Sequence, residues 1–198
     1  MNNEQLVQMY DAIRQQPDLL VKAAARKRLI NFARYMQPDL VLEPFHVVYY
    51  TLLDMFAHGK IRKMIVQQPP QHGKSEGSSR KLPAFMEGLN PDLKIVIGSY
   101  AATIARDFNR DVQRIIDTPR YRELFPGTYL NGSNVVTMAN TYLRNSDVIE
   151  MVGHKGSLRV VGRGGSLTSK TVDVSILDDV YKDYAEGNSP IVRAAAWK

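Results

Sequence analysis

The alternation of short apolar runs with amphipathic helical stretches after residue 60 is the feature that most constrains this fold. Strands that alternate with helices favour a parallel sheet covered by helices on both faces. In such sheets, ligands bind beyond the carboxyl ends of the strands. The sequence therefore predicts an α/β fold with a mostly parallel central sheet. Strands are predicted at residues 64–67, 93–97, 148–152, 157–161 and 172–177, with helices over 73–88 and 101–117.

The first 60 residues show helical spacing of apolar side chains instead. A helical N-terminal segment over 1–42 is therefore expected to lead into a core over 43–198. Pro17 suits the first turn of a helix, and Gly59 suits a helix C-terminal end. The predicted helices lie around Leu6 to Ile13, from Pro17 through Met36, and over 45–57.

Composition narrows the class of protein. The chain has 198 residues, of which 44% are hydrophobic and 23% charged, as in an ordinary globular domain. It has no cysteine, which excludes a disulfide scaffold, thiolate metal sites and cysteine catalysis and suits a reducing cytosol. Its 26 basic and 20 acidic side chains give a net charge of +6, which suits a polyanionic partner. No apolar run is long enough to span a membrane.

The stretch Met64-Ile-Val-Gln-Gln-Pro-Pro-Gln-His-Gly-Lys-Ser75 predicts a strand, a tight loop and the start of a helix. Backbone N–H groups of such a loop and of the helix N-terminus favour a phosphate. Lys74 would reach the β- and γ-phosphates, and the Ser75 hydroxyl would bind Mg²⁺. The alternative is a chance turn before a helix. The predicted nucleotide-binding residues are Gln68, Pro69, Pro70, Gln71, His72, Gly73, Lys74 and Ser75, with Gln68 in place of the usual first glycine.

A second motif, Val172-Asp-Val-Ser-Ile-Leu-Asp-Asp179, is an apolar run that ends in two carboxylates. An NTPase needs one carboxylate near Mg²⁺ and another near the attacking water. Asp178 suits the role of Mg²⁺ ligand. Asp179 suits the position near the attacking water and is, with Lys74, a candidate catalytic residue. Taken alone, the motif could be a strand that leads into a turn.

The order of these motifs resembles the ATPase part of bacteriophage terminase large subunits, over roughly residues 43–198. The resemblance implies a P-loop NTPase fold and a motor that hydrolyses ATP with Mg²⁺ to package double-stranded DNA. It also implies a homo-oligomeric ring, a portal and a small terminase subunit as partners, and the cytoplasm of an infected bacterium as location. The further motifs that carry it are Ile97-Gly-Ser-Tyr100, Ala105-Arg-Asp-Phe-Asn-Arg110, Tyr121-Arg-Glu-Leu-Phe-Pro126, Gly162-Arg-Gly-Gly-Ser-Leu-Thr168 and Leu177-Asp-Asp-Val-Tyr-Lys-Asp183.

The sequence departs from that family at three points. Gln71 stands where the family often has arginine, the family's coupling motif is expected beyond Lys198, and its nuclease domain is absent from these 198 residues. A slow ATPase that cuts no DNA is therefore expected. The alternatives are a helicase-like P-loop ATPase that remodels nucleic acid and a nucleotide-binding module without catalysis.

Three weaker patterns add candidate residues. Arg163, between two glycines, could serve a neighbouring subunit as an arginine finger; Arg159 and Lys170 compete for that role, and a loop arginine without a catalytic part is the alternative. In the resembling family, the region of Phe45 and His46 lies near the adenine, although an ordinary helix start explains them equally. A helix face that could bind DNA phosphates, or be a solvated ion-paired surface, carries Arg106, Arg110 and Arg114.

Overall fold

A computed structural model describes residues 17–137, 141–165 and 171–196. The helix expected around Leu6 to Ile13 lies outside these residues. In chain order the α-helices are α1 Pro17–Lys27, α2 Leu29–Met36, α3 Pro44–Ala57, α4 Leu82–Leu89, α5 Ala102–Asp117, α6 Pro119–Leu124, α7 Tyr184–Asn188 and α8 Pro190–Ala196, with a π-helical segment at Glu76–Lys81. The strands are β1 Lys94–Ser99, β2 Val148–Glu150, β3 Ser157–Gly162 and β4 Val174–Leu177.

The four strands form one mostly parallel sheet flanked by helices, in the order β2-β3-β1-β4. β1 lies at the centre and runs parallel to both β3 and β4, while β2 is antiparallel to β3. Ile97 is in register with Val160 on one side and with Ile176 on the other. The predicted mixed α/β class is therefore confirmed, and the carboxyl ends of β1, β3 and β4 share one edge.

The strand predicted at 64–67 is wrong. This segment has no regular secondary structure, and among the described residues it does not pair with the sheet, in which β4 pairs with β1 alone. Met64 and Val66 pack against the core, whereas Ile65 is 91% exposed. The alternating burial thus comes from the packing of one side of this segment against the core. A strand also needs a hydrogen-bonded neighbour, and the described residues supply none here.

The single helix expected from Pro17 through Met36 is two helices, because Arg28 has an extended backbone (φ −134°, ψ 127°). Asp54 of α3 stabilises this break with both carboxylate oxygens. Its Oδ1 accepts the Leu29 N–H at 2.8 Å, and its Oδ2 lies 3.0 Å from Arg28 Nε. A distant carboxylate therefore satisfies the first N–H of α2, a contact that local periodicity does not reveal.

The helix expected over 73–88 also differs, since its first part is the π-helical segment Glu76–Lys81. The Leu82 N–H bonds to the carbonyl of Gly77, five residues earlier. Gly77 also lets α3 approach closely, because a Cβ there would lie 2.6 Å from Tyr49 Cε1. π-Helical turns are uncommon and are frequently found at functional sites.

The core joins the sheet to the N-terminal helices. Phe32 of α2 lies 5.4 Å from Phe85 of α4, ring centroid to ring centroid, and packs with Tyr121 and Phe125 as well. The described part of the 1–42 segment thus shares one apolar core with the remainder of the chain. Within the described residues, no helix is long and apolar enough to cross a membrane.

Glu87 of α4 is an unusual core residue, because its side chain is fully buried. Neither carboxylate oxygen has a hydrogen-bond partner among the described residues. Burial raises the pKa of Glu87 well above its usual value of 4.5. The carboxyl is therefore protonated in the folded chain at pH values where the unfolded chain has released its proton.

We expect Glu87→Gln to stabilise the protein at pH 8 and to have little effect near pH 4. Above the unfolded pKa, the folded state binds one proton more than the unfolded state, so stability falls as pH rises. That loss amounts to about 1.4 kcal/mol per pH unit until the folded pKa is reached. Glutamine lacks this titration and keeps the size. Urea denaturation of both proteins at several pH values measures the difference.

Glu123→Gln is the matched control. Lys22 and then Tyr35 lower the pKa of this exposed carboxyl, so its stabilising effect is present at neutral pH and is lost on acidification. The two substitutions should therefore act in opposite directions at neutral pH. A Glu87→Gln protein that is less stable than the parent at pH 8 would contradict the burial of an uncompensated carboxyl.

Candidate functional site

The candidate site lies at the carboxyl ends of β1 and β4, where the loop at 68–75 meets the sheet. The Asp178 N–H donates to the carbonyl of Gly98, and the Tyr100 N–H donates to the carbonyl of Asp179. Asp179 has a φ of 46°, which is uncommon for a residue other than glycine. The backbone hydrogen bonds between β1 and β4 thus continue past the end of β4, and the chain then turns sharply at Asp179.

Lys74 brings the loop and the acidic strand end together. Its Nζ lies 2.6 Å from Asp179 Oδ1 and 3.2 Å from Asp178 Oδ1. Burial lowers the pKa of Lys74, but the contacts with Asp179 and Asp178 outweigh it, and the net shift is upward. The Asp178 side chain is only 4% exposed, whereas that of Asp179 is 64% exposed. One carboxylate is therefore a buried anchor and the other faces solvent.

The Asp178 carboxylate accepts a hydrogen bond from the hydroxyl of Ser79 in the π-helical segment. The Ser79 Oγ donates to Asp178 Oδ2 at 2.7 Å, and Ser79 is fully buried. Ser75 occupies the N-cap position of the same segment and makes no side-chain cap hydrogen bond. Its role as a metal ligand stays a prediction.

Side chains of α3 and of the π-helical segment hold the loop in place. The Tyr49 hydroxyl donates to the Lys74 carbonyl at 2.5 Å, and Ser78 Oγ donates to the same carbonyl at 2.9 Å. Burial raises the pKa of Tyr49 to about 12, so the donor proton is retained at neutral pH. These contacts fix the backbone of Lys74 from two directions.

The loop also contacts the start of α3 through histidine. His46 Nδ1 accepts the Glu43 N–H at 3.0 Å, which leaves Nε2 to donate to the His72 carbonyl at 3.2 Å. Gln71 and Gly73 have φ values of 62° and 75°, so the loop turns at both positions. His46 therefore holds the loop, and the adenine contact that the resemblance implies for this region stays a prediction.

A cavity of about 560 Å³ opens beside the loop and extends along α3. The Phe45 ring borders it and lies 5.7 Å from the His72 ring. Gln68 also lines it, and the Oε1 atom of this residue is buried without a hydrogen-bond partner in the described structure. The cavity lining is otherwise mostly apolar: Val48, Tyr49, Leu52, Met64, Ile65, Val66, Gln67 and Pro69. A flat aromatic group would fit its chemistry.

Arg163 follows β3 and is held within the same chain. Its two terminal nitrogens lie 2.6 and 3.3 Å from the carboxylate oxygens of Glu186 in α7. The Arg163 guanidinium and then the Lys182 N–H lower the pKa of Glu186 to about 2. An arginine that serves a neighbouring subunit would first have to leave this pair. Two other residues compete with Arg163 for the role of arginine finger. The Nη2 atom of Arg159 lies 3.8 Å from Glu150 Oε1, and Lys170 lies outside the described residues.

The three arginines suggested for DNA contact lie on α5 and are all ion-paired. Arg106 contacts Asp147 at 2.7 Å. The other two pair along the helix, Arg110 with Asp107 at 3.0 Å and Arg114 with Asp111 at 2.8 Å. The geometry therefore favours the ion-paired surface over a face prepared for phosphates, and DNA contact by these residues stays a prediction.

Sequence reasoning missed Ser79, Tyr49 and Glu186. A helical repeat of four residues from Ser75 points to Ser79, so that signal was present but weak. Tyr49 and Glu186 carry no local signal, since their roles depend on contacts with Lys74 and Arg163 across the fold.

Comparisons with models of known protein families, with curated proteins and with solved structures find no match for this chain.

Proposed function

We propose that this chain is a Mg²⁺-dependent ATP hydrolase with a P-loop NTPase fold. The observation that carries the proposal is the contact of Lys74 with Asp178 and Asp179, two carboxylates more than 100 residues away. A phosphate loop and an acidic strand end are weak signals separately. Their meeting at the carboxyl edge of a parallel sheet is the arrangement in which such sheets bind ligands.

The residues present fit Mg²⁺. This ion prefers oxygen donors and is usually held by one or two carboxylates together with substrate phosphates. Asp178 supplies a buried carboxylate whose Oδ1 faces Lys74, and the Ser75 hydroxyl lies next to Lys74 in the chain. We infer that Asp178 and Ser75 hold the ion, which neutralises phosphate charge when bound.

The other residues of the site act on the nucleotide and on water. The Lys74 ammonium is the cation that would bind the β- and γ-phosphates, on leaving its contacts with the two carboxylates. Asp179 is exposed at the site and is placed to accept a proton from, or orient, a water molecule. The apolar cavity beside Phe45 would take the base, and the backbone of Gly73 would approach the phosphates.

The ordered motifs further support a role as the motor of a terminase large subunit that drives double-stranded DNA into a capsid. Under this proposal the chain acts in a homo-oligomeric ring at a portal, with a small terminase subunit, in the cytoplasm of an infected bacterium. These partners follow from the resemblance of the motifs alone.

Two measurements test the activity: titration with a fluorescent ATP analogue, and phosphate release with and without double-stranded DNA. We expect Mg²⁺-dependent binding and slow release, below about 1 s⁻¹. The reason is that an arginine finger contributes roughly 10³ to 10⁵ in rate, and Glu186 engages the Arg163 guanidinium.

Lys74→Ala serves as the control for contaminating activity and should abolish both signals. Binding without any phosphate release, even with DNA, would instead indicate a nucleotide-binding module. An absence of binding by the parent protein would contradict the proposed function.

A further inference from the structure

We propose that Ser79 is a positioning residue that fixes the Asp178 carboxylate and thereby sets the Mg²⁺ dependence of nucleotide binding. This inference rests on the proposed function and assigns a role to a residue outside the Gly73-Lys74-Ser75 motif. The evidence is a single hydrogen bond between two buried groups, together with the arrangement around it.

The Ser79–Asp178 contact is shielded from solvent. Ser79 is fully buried, Asp178 is 4% exposed, and the Oγ···Oδ2 distance is 2.7 Å. A hydrogen bond to a charged acceptor in such surroundings is stronger than one between neutral groups. Removal of the hydroxyl would leave Oδ2 as a buried acceptor without this donor, and the carboxylate would lose one of the two contacts that fix its direction.

The two oxygens of Asp178 have separate partners. Oδ2 faces Ser79, and Oδ1 faces Lys74 Nζ at 3.2 Å. A carboxylate held through one oxygen presents the other in a fixed direction. Mg²⁺ demands near-ideal octahedral geometry, so its affinity depends on that direction. Loss of such an outer partner typically lowers metal affinity by about 10- to 100-fold.

The neighbouring Ser78 separates this role from a general loosening of the loop. Its hydroxyl donates to the Lys74 carbonyl and makes no hydrogen bond to a carboxylate in the described structure. The two hydroxyl oxygens lie 3.2 Å apart, but each donates its one proton elsewhere, Ser78 to the Lys74 carbonyl of the loop and Ser79 to Asp178 of the acidic strand end. Substitution of Ser78 should weaken nucleotide binding without changing its Mg²⁺ dependence.

The experiment titrates Mg²⁺ into the full chain with a fluorescent ATP analogue and records the Mg²⁺ concentration at half-maximal binding. Ser79→Ala should raise this midpoint by about tenfold or more and leave the affinity in EDTA unchanged. Ser79→Thr keeps the hydroxyl and should restore the midpoint to near that of the parent. Ser157→Ala, a buried serine at the opposite end of the sheet, is the matched control and should behave as the parent.

The outcomes distinguish this inference from the proposed function. Absence of Mg²⁺-dependent binding in the parent protein overturns both. Normal Mg²⁺ dependence in the parent and in a folded Ser79→Ala overturns the inference alone. An equal loss of affinity with and without Mg²⁺ also overturns it, because that pattern indicates a merely structural serine. Should Ser79→Ala fail to fold, Ser79→Cys nearly keeps the size and has only a weak donor. It should therefore also raise the midpoint, and an unchanged midpoint in Ser79→Cys would overturn the inference.

Discussion

Lys74→Met is expected to lower the affinity for an ATP analogue by about 10² or more and to raise the affinity for Mn²⁺ alone. Charge-assisted hydrogen bonds contribute about 1.5–3 kcal/mol each, and a phosphate would receive more than one from the Lys74 ammonium. In the parent chain the same ammonium contacts Asp178 and Asp179, so a lone divalent cation has to compete with it. Methionine removes this competitor and keeps most of the volume.

Analogue titration and Mn²⁺ binding by electron paramagnetic resonance measure the two effects separately. Lys94→Met, at the amino end of β1, is the matched control and should alter neither. The expected changes in the two affinities have opposite signs. A partly unfolded variant would lose both affinities, so unfolding does not produce the expected result. Unchanged Mn²⁺ affinity in a folded Lys74→Met would show that the ammonium does not compete for the carboxylates.

Asp179→Asn should retain nucleotide binding and lose turnover by at least about 10², the lower range for a positioned proton acceptor. The substitution keeps the size of the side chain and removes the charge that polarises water. Asp178→Asn should instead shift the Mg²⁺ dependence of binding, because Asp178 is the buried carboxylate of the pair. Steady-state phosphate release at saturating nucleotide measures the first effect, and a Mg²⁺ titration measures the second.

Asp173→Asn is the control for these variants, since Asp173 precedes β4 at the opposite end of the sheet and accepts the Lys94 N–H. It should leave turnover within about twofold of the parent, because the substitution of a surface residue outside the site has little effect. If Asp179→Asn changed only the Mg²⁺ dependence and Asp178→Asn only the turnover, the two roles would have to be exchanged.

The sequence predicted the elements whose cause is local. The helices observed at Pro44–Ala57 and Ala102–Asp117 and the strands at Lys94–Ser99 and Ser157–Gly162 all follow from apolar periodicity. The break at Arg28 was missed because Asp54, 26 residues later, stabilises it. The segment at 64–67 has the alternation of a strand, but strand formation depends on a neighbour that periodicity does not report.

For the site, the sequence predicted the meeting of Lys74 with the two aspartates, but through a strand at 64–67 that does not belong to the sheet. Contacts of the Lys74 carbonyl with Tyr49 and Ser78 hold the loop at that edge instead. The sequence did not predict which hydroxyl reaches Asp178. That detail depends on the helical register after the loop, which a π-helical turn alters. The pairing of Arg163 with Glu186 was equally inaccessible, since neither residue carries a signal for the other.

The π-helical segment has a consequence for insertions and deletions in this region. An α-helix turns by about 100° per residue, whereas a π-turn accommodates one residue more. Deletion of a single residue within Glu76–Lys81 would restore a uniform α-helix and leave α4 facing the core as before. The residues on the amino side of the deletion would keep nearly the same direction, because the π-turn had absorbed the extra residue. A change of this segment to α-helix without a deletion would instead rotate them by about 100° relative to the sheet. The π-helical segment therefore changes the helical rotation between Lys74 and α4. As a result, α4 faces the core while the phosphate loop keeps its own orientation at the edge of the sheet.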